Sequence, residues 1–409
     1  MRIACNITQS KVSTLICNAA SKFHGILHDA IGDEVACVAT TIHARTLSRS
    51  IIVFATLITY LLSVVRALAE STKTFYVTKI ALCAVVVLVA LPRFDMNDTG
   101  IAVATLDEIV RDSSGAAIMA SSPDVRQYTS MVQRFRGETP LQTPEAPFAY
   151  RVAIPYLASF VPAPVLTALD LVNLAVLVIC VLLMDMLLLH QGMARHERLI
   201  GMAMFAVSFP VFYYGATGRI DSGGLALTLL ICAAHAAGKP LLLWGAIFFA
   251  PFAKETTVVA IVLCISMELL ERRERAVWKS IFMIAVFAAG SVAIRMLVHS
   301  PTSHPWVPSI KDTISNLERP RAYISSILAF GVPGVLAVLY CVRVQFKDWS
   351  VFVQASALSV LACAGIWVFS FASAYTDGRF VWIAYPFLIP LALLSLRRIE
   401  HHQRAAASA

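Results

Sequence analysis

The sequence has few charged residues and lacks the common signatures of soluble enzymes. Of its 409 residues only 14% are charged, whereas a soluble domain averages about 25%. So little charge over this length excludes a disordered protein and a water-soluble enzyme. No Walker A segment is present, so ATP does not drive the protein directly. The G-x-S-x-G and H-E-x-x-H segments of two hydrolase classes are also missing.

Cysteine is present, but not in a pattern that indicates chemistry. The chain has nine cysteines, and none of them forms a C-x-x-C or a Cys/His metal-binding spacing. A thiol in an apolar run behaves as a small hydrophobic group, so the sequence predicts neither a disulfide framework nor a metal centre. The cysteines in or beside apolar runs are Cys83, Cys180, Cys232, Cys264, Cys341 and Cys363.

What the chain has in abundance is apolar sequence. Hydrophobic residues make up 58% of it, and its mean hydropathy is +0.74. A helix needs about 20 apolar residues to cross a bilayer, so the pattern predicts an all-α integral membrane protein with about 11 transmembrane helices (9–11). The apolar runs cover residues 50–69, 77–92, 166–190, 198–216, 222–237, 240–253, 256–270, 278–298, 321–342, 351–371 and 379–396.

The basic residues stand between these runs, where they set the topology. The net charge of +8 therefore does not indicate a nucleic-acid partner. When every run counts as a span, four basic clusters fall on one side, which the positive-inside rule makes cytoplasmic. These clusters are Arg195–Arg198, Arg272–Lys279, Arg343–Lys347 and Arg397–Arg404.

This topology divides the chain into three parts. Residues 1–48 are predicted to be a polar amino-terminal arm, for which both an ordered and a disordered state remain open. Residues 49–397 are predicted to be a polytopic membrane domain and 398–409 a cytoplasmic tail. The opposite, extracytoplasmic side receives a large first loop, 93–165, which is predicted to carry interfacial helices, and a second loop, 299–320. Every motif described below falls on this outer side, so we expect it to be the working face.

The first candidate residue is Asp124 in the large outer loop. Ser122, Pro123 and Asp124 are typical of a helix start, and Asp124 and Tyr128 would then share one helix face. A carboxylate in this place can serve as a general base. The alternative is that Asp124 only caps the helix.

The same loop continues into Pro147–Ala158, where two prolines bracket a short apolar turn with Arg151 inside it. This pattern predicts an interfacial helix on the outer leaflet. Two roles remain open for Arg151. Its side chain can snorkel to lipid headgroups, or it can hold a phosphate.

The short outer loops supply further charges. Lys254 and Glu255 interrupt an apolar stretch at the expected bilayer surface, and ionisable residues in that setting tend to face a cavity or a partner. If both residues were helical, their side chains would point about 100° apart, so that only one would face a cavity. Arg219 and Asp221 form a neighbouring pair of opposite charges, as do Asp377 and Arg379. Surface pairs of this kind are common and contribute little.

The order of these motifs resembles a known family. An outer-loop aspartate with a following tyrosine precedes Pro-Phe-x-Tyr-Arg-x-x-x-Pro-x-Leu at 147–157, and Asn173 lies in the next span. Further matching motifs are Ser208-Phe209-Pro210, Gly218-Arg219-x-Asp221, Lys254-Glu255-Thr256 and Gly378-Arg379-Phe380 with Pro386. Over about 120–390 the chain resembles the polytopic bacterial membrane proteins grouped with the GT-C-type glycosyltransferases.

The resemblance implies a membrane glycosyltransferase in the bacterial inner membrane. Such an enzyme would move a sugar from a polyprenyl-phosphate carrier to an acceptor at the outer face, the acceptor being a cell-envelope glycan, lipid or protein. Asp124 then takes the position of the catalytic acidic residue. The substrate and its phosphate would be bound by the remaining candidates, which are Tyr128, Arg151, Arg219, Asp221, Lys254, Glu255 and Arg379. The resemblance implies no particular cofactor, and a divalent cation is compatible with this chemistry.

Two other classes remain as alternatives. A non-enzymatic lipid or polysaccharide transporter, or an assembly protein, would need a continuous polar path through its spans. A polysaccharide polymerase or ligase would share the architecture. An enzyme instead needs the large outer loop folded over a cavity that holds Asp124.

Overall fold

The structure is a computed structural model that describes residues 63–94, 110–111, 117–118, 123–272, 274–300, 306–373 and 376–408. Within these ranges the chain is helical, with short connections and one two-residue antiparallel pair, β1 (Val110–Arg111) and β2 (Ala117–Ile118). The predicted all-α class is therefore confirmed for the described residues. The predicted arm 1–48 lies outside them.

The helices begin and end as follows. Residues 63–70 are helical, and the α-helices after them are α1 (Thr72–Ala90), α2 (Pro123–Phe135), α3 (Ala153–Ser159), α4 (Val165–His190), α5 (Arg195–Ala206), α6 (Phe209–Tyr214), α7 (Asp221–Ala236), α8 (Pro240–Ala253), α9 (Val258–Leu270), α10 (Ala276–Leu297), α11 (Ile310–Leu317), α12 (Pro320–Arg343), α13 (Val351–Ser373), α14 (Arg379–Trp382) and α15 (Tyr385–Ser408). Short 3-10 turns cover Leu91–Arg93, Phe148–Tyr150, Glu255–Thr257 and Phe346–Asp348.

Five of these helices are long and apolar enough to cross a membrane. They are α1 with the turn that follows it, α4, α10, α12 and α13, and their mean hydropathies lie between 1.9 and 2.7. Their lengths of 22 to 26 residues match the roughly 20 residues that a hydrocarbon core requires. The chain therefore has the character of a membrane protein.

The remaining apolar runs form shorter helices. The run 198–216 is divided at Ser208, where Phe209 and Pro210 begin a new helix. Helices α7, α8 and α9 have 16, 14 and 13 residues, which is less than a full crossing needs. The figure of about eleven spans thus remains a prediction beyond the five helices that the described residues provide.

Helix α4 is the central element of the fold. In its most apolar window 67% of the residues are buried, against 17% in α1, 22% in α10 and 28% in both α12 and α13. Helix α7 packs along α4, α8 packs on α7 and α10, and α9 packs on α13. The outer helices therefore present apolar faces such as Ile80 and Met296, 70% and 82% exposed, as expected of surfaces that meet lipid.

The chain divides into two compact units, 1–74 with 396–409, and 75–395. In the described part of the first unit, Arg66 and Glu400 form an ion pair. The predicted tail 398–409 is helical as far as Ser408, because α15 runs on through it. All candidate site residues lie in the second unit.

Candidate functional site

The candidate residues of the predicted outer loops surround one cavity of about 260 Å3. Seven of the eight sequence-predicted site residues line it, namely Asp124, Tyr128, Arg151, Asp221, Lys254, Glu255 and Arg379. The lining is completed by Gln127, Glu145, Phe148, Thr256, Trp306 and Phe380. Segments that are far apart in sequence therefore meet at one place.

Asp124 lies at the wall of this cavity and binds Arg379. Helix α2 begins at Pro123, so Asp124 stands inside its first turn. Nη1 of Arg379 donates a hydrogen bond to Oδ2 of Asp124, and the Asp124 side chain keeps 17% exposure. Its carboxylate is thus directed to a cation across the cavity, which a helix-capping role alone would not require.

The charges around Asp124 determine its protonation state. Burial raises the pKa of Asp124, but the positive charges of Arg379 and Arg219 and the hydrogen bond from Arg379 outweigh burial, so the pKa lies below its ordinary value. Asp124 is therefore a carboxylate at neutral pH, and it can accept a proton.

Arg151 is held between a carboxylate, a phenol and two aromatic rings. Its Nε and Nη2 donate to the two carboxylate oxygens of Glu255, and its Nη1 donates to the Tyr128 hydroxyl at 3.1 Å. The guanidinium lies 5.1 Å from the Phe148 ring centre and 5.3 Å from that of Trp306, within cation–π range. Arg151 is only 3% exposed, so the alternative in which it snorkels to lipid headgroups is wrong.

Burial also raises the pKa of Tyr128, which keeps the phenol neutral. Because Tyr128 accepts a hydrogen bond from Arg151, its own proton is free to be donated into the cavity. Asp124 and Tyr128 both line the cavity, as expected for positions four residues apart on one helix face.

Lys254 binds Asp221, and a break between two helices directs it into the cavity. Nζ of Lys254 donates to Oδ1 of Asp221. Lys254 is extended, with φ −169° and ψ 133°, between the end of α8 and the turn Glu255–Thr257. The condition under which only one of Lys254 and Glu255 would face a cavity, a helix through both residues, is therefore not met, and both line the cavity.

Two glycines at the start of α7 make room for this arrangement. A Cβ atom at Gly223 would lie 2.7 Å from Cγ1 of Ile154, and one at Gly224 would lie 3.0 Å from Cβ of Lys254. A side chain at Gly223 would push α3 away, and one at Gly224 would crowd the stem of Lys254.

Arg219, the eighth predicted residue, stands behind the cavity wall. Its Nη1 lies 3.8 Å from Oδ2 of Asp377, and Nε of Arg379 lies 3.4 Å from Oδ1 of the same residue. Asp377 is 1% exposed and Arg219 5%. The interpretation of Arg219 with Asp221 as a local pair is therefore wrong, because Arg219 lies beside Asp377 and Asp221 binds Lys254. Asp377 and Arg379 do form the expected local pair, but Asp377 is buried and is not at the surface.

Helix α4 fixes the loop that carries Arg219. Oδ1 of Asp170 accepts a hydrogen bond from the amide of Gly218, and Nδ2 of Asn173 donates to the carbonyl of Arg219 at 2.6 Å. Gly218 has φ +67°, a conformation that glycine adopts at little cost. Ser222 donates to Oδ1 of Asn173, so both ends of the turn are tied to one helix.

A second set of polar side chains fixes the loop before Arg379. Oγ of Ser325 accepts from the amide of Gly378 at 3.0 Å. Asn316 donates to the carbonyl of Phe371 and accepts from the amide of Thr376. Loops of this kind hold charged side chains in place only when their backbone groups are satisfied.

No known protein family matches this chain, and no curated protein matches its sequence. What the cavity can do therefore has to be judged from its own chemistry.

The ion pairs of the cavity balance four carboxylates against four cations. The pairs join Arg379 to Asp124 and Asp377, Arg151 to Glu255, Lys254 to Asp221, and Arg219 to Asp377. An anion that enters must therefore take cations from their carboxylates. Glu255 is the most accessible of those partners, since its side chain is 45% exposed. Among the described residues, no three His, Cys, Asp or Glu side chains are grouped as metal ligands.

Two important residues of the site were not singled out from the sequence. Asp377 was noted only as a neighbour of Arg379, and a buried partner for Arg219 could not be inferred from spacing. Trp306 lies in the predicted second outer loop, 299–320, where it follows no periodic pattern. Its only signal was a large aromatic residue in a loop that was predicted to face the working side.

Proposed function

We propose that the protein is a membrane glycosyltransferase that moves a sugar from a polyprenyl-phosphate carrier to an acceptor. The observation that carries this proposal is the meeting of a carboxylate, Asp124, with Arg151, Lys254 and Arg379 around one cavity. The transfer needs a base for the acceptor and cations for the departing phosphate. At about 260 Å3 the cavity is close to the lower end of common ligand sites, about 300–1,000 Å3.

In the proposed reaction Asp124 takes the proton of the acceptor hydroxyl. The acceptor oxygen then forms a bond to the anomeric carbon of the sugar, and the bond between that carbon and the phosphate oxygen breaks. The electron pair leaves with the phosphate, so the products are the glycosylated acceptor and the polyprenyl phosphate. Cations that contact the phosphate stabilise the charge that develops on it.

The pairing of Asp124 with Arg379 suggests how a weak base becomes a stronger one. While Arg379 binds Asp124, the pKa of Asp124 is held low, and a base of low pKa takes protons poorly. If Arg379 turns to the donor phosphate, Asp124 loses its cation but stays in a poorly hydrated site. Its pKa then rises toward the working pH, so donor binding prepares the base.

The proposal includes the finer topology. Nine to eleven spans, with the basic clusters and the carboxyl terminus in the cytoplasm, place the cavity at the extracytoplasmic face of the bacterial inner membrane. Carrier-linked sugars and cell-envelope acceptors could both reach a cavity at that face. The transporter alternative has less support, because the predicted outer loop contributes Asp124, Tyr128 and Arg151 to the wall of the cavity, which is what an enzyme requires of it.

Purified full-length protein in lipid vesicles provides the test. We would incubate it with polyprenyl phosphates that carry different pentoses and hexoses, together with an envelope extract as acceptor, and measure the release of polyprenyl phosphate. Release from at least one donor is expected. Lys254→Gln should strongly reduce that release, since it removes a cation from the cavity.

Lys239 offers a matched control, because Lys239 and Lys254 flank the same helix, α8, and Lys239 is exposed. Lys239→Gln should release carrier as the wild type does. No release from any donor, or equal release from Lys254→Gln and the wild type, would contradict the proposal.

A further inference from the structure

A second charged cluster lies near the opposite end of α4. Asp185 follows Asp170 by fifteen residues, which is about 22 Å along a helix, and Asp170 is the residue that holds the cavity loop at Gly218. Asp185 has five residues of α4 after it, so it stands about 7.5 Å inside the helix end. It is 2% exposed.

Two cations share this one carboxylate. Nζ of Lys79 lies 2.7 Å from Oδ2 of Asp185. Nε and Nη2 of Arg198 donate to Oδ1 and Oδ2 at 2.7 and 2.8 Å, which is a bidentate pair. The three side chains come from α1, α4 and α5, so that the cluster joins three helices.

The cluster of Lys79, Arg198 and Asp185 therefore has an excess of one positive charge. Lys79 and Arg198 contribute two charges and Asp185 only one. The neighbouring charges on α5 do not change this sum, because Arg195, which lies over the Phe75 ring, is offset by Glu197, whose carboxylate accepts from the amide of Ala194. An excess charge among apolar helices is costly unless a further anion is at hand.

The surroundings of the excess charge are apolar and open. Lys79 keeps 20% side-chain exposure on α1, of whose apolar window only 17% is buried. On the face of Asp185, Leu182 and Leu189 stand one turn before and one turn after it and are 37% and 48% exposed. Tyr76, one turn before Lys79, is 57% exposed, and tyrosine favours the headgroup level of a bilayer.

We propose that Lys79 and Arg198 bind the phosphate of an anionic phospholipid. Charge complementarity selects an anion, and the exposed apolar residues on both helices select one that carries acyl chains over free phosphate. Asp185 is a positioning residue here, since it holds both cations at the lipid-facing surface. The proposal does not depend on the glycosyltransferase reaction, because these residues lie outside the cavity.

Two substitutions should change lipid binding in opposite directions. Lys79→Gln removes the excess charge, yet it leaves Asp185 with both bonds from Arg198, so the fold should persist. Asp185→Asn raises the excess to two charges. Native mass spectrometry of the full-length protein would count bound phosphatidylglycerol against phosphatidylcholine, with Lys347→Gln, an exposed lysine elsewhere, as the control.

We expect Lys79→Gln to lower the preference for phosphatidylglycerol by about five-fold, the usual contribution of one cation near a membrane surface. Asp185→Asn should keep or increase the preference, and Lys347→Gln should leave it unchanged. Competition by inorganic phosphate at equal concentration should have little effect. If it displaces the lipid, the site binds a free anion and the acyl-chain part of the proposal is wrong.

A purely structural role for the cluster makes different predictions. If Lys79, Asp185 and Arg198 serve only to join three helices, neither Lys79→Gln nor Asp185→Asn should alter the preference between the two lipids. That result would overturn the proposal. Should Asp185→Asn fail to fold, the lipid preference of Lys79→Gln compared with that of Lys347→Gln still tests the proposal.

Discussion

The two charged regions beside α4 are built on different principles. In the cavity, ion pairs match four carboxylates with four cations, and each buried charge depends on a partner from another loop. At the other end, two cations share Asp185. The comparison teaches that a balanced network leaves no excess charge for a further anion, whereas the unbalanced cluster can lose one cation while Asp185 remains paired.

The largest effect on stability should follow the loss of the buried anion shared in the cavity wall. Asp377→Asn leaves Arg219 and Arg379 without their common carboxylate. Removing one partner of a buried pair typically costs about 3–5 kcal/mol, and we expect the free energy of unfolding to fall by about that much. Denaturant titration of the purified protein in detergent would measure it.

Asp348→Asn is the control for this prediction, because Asp348 is exposed and should change stability by no more than about 0.5 kcal/mol. Equal stabilities of the Asp377 and Asp348 variants would show that the cavity charges are better hydrated than their burial indicates.

A smaller effect is expected at the other end of α4. Lys79→Gln should lower the free energy of unfolding by about 1 kcal/mol, because it removes a single partly exposed ion pair while Asp185 keeps both bonds from Arg198. The same titration applies. A loss as large as that of Asp377→Asn would remove the contrast between the two regions.

The smallest effect concerns acid stability. The pKa of Asp124 is lower in the folded protein than its ordinary value of about 3.9. Its carboxylate therefore stabilises the fold above that value, and this stabilisation is lost as the pH falls through the folded pKa. In Asp124→Asn, the stability should fall less steeply below about pH 4 than in the wild type. The measurement is the free energy of unfolding between pH 6 and pH 3. If Asp124 and Arg379 were not paired, it would fall equally steeply with pH in Asp124→Asn and in the wild type.

Much of the site could be anticipated from the sequence because of topology. The count of apolar runs predicted that the charged motifs lie on one side of a membrane. Residues at the same end of a helical bundle are close together, so a shared cavity could be expected. Positions four residues apart, such as Asp124 and Tyr128, were expected to share a face, and in the structure both line the cavity.

Most partners of these charges could not be anticipated. Spacing along the chain favoured local pairs, such as Arg219 with Asp221, but all pairs except that of Asp377 with Arg379 join different loops. Asp170, Asn173 and Ser325 fix those loops from other helices. The burial of Arg151 could not be anticipated either, since nothing in Pro147–Ala158 indicates that Glu255 would approach it.

Helix lengths could not be predicted from the sequence either. Hydropathy locates apolar runs but does not determine where a helix is interrupted. The extended residue Lys254 and the new start at Phe209 divide apolar sequence into helices shorter than a crossing. Only tertiary packing determines such breaks, which is why five long helices are found among the described residues where more runs were predicted.

The central claim is that Asp124 is the base of a sugar transfer. Turnover and donor binding of Asp124→Asn, measured side by side with Asp348→Asn, test it most directly. Loss of a positioned base typically lowers the rate by about 10²–10⁴-fold, so the Asp124 variant should lose that much turnover while it still binds the donor and folds normally. An Asp124→Asn protein that transfers sugar at the wild-type rate would contradict the claim.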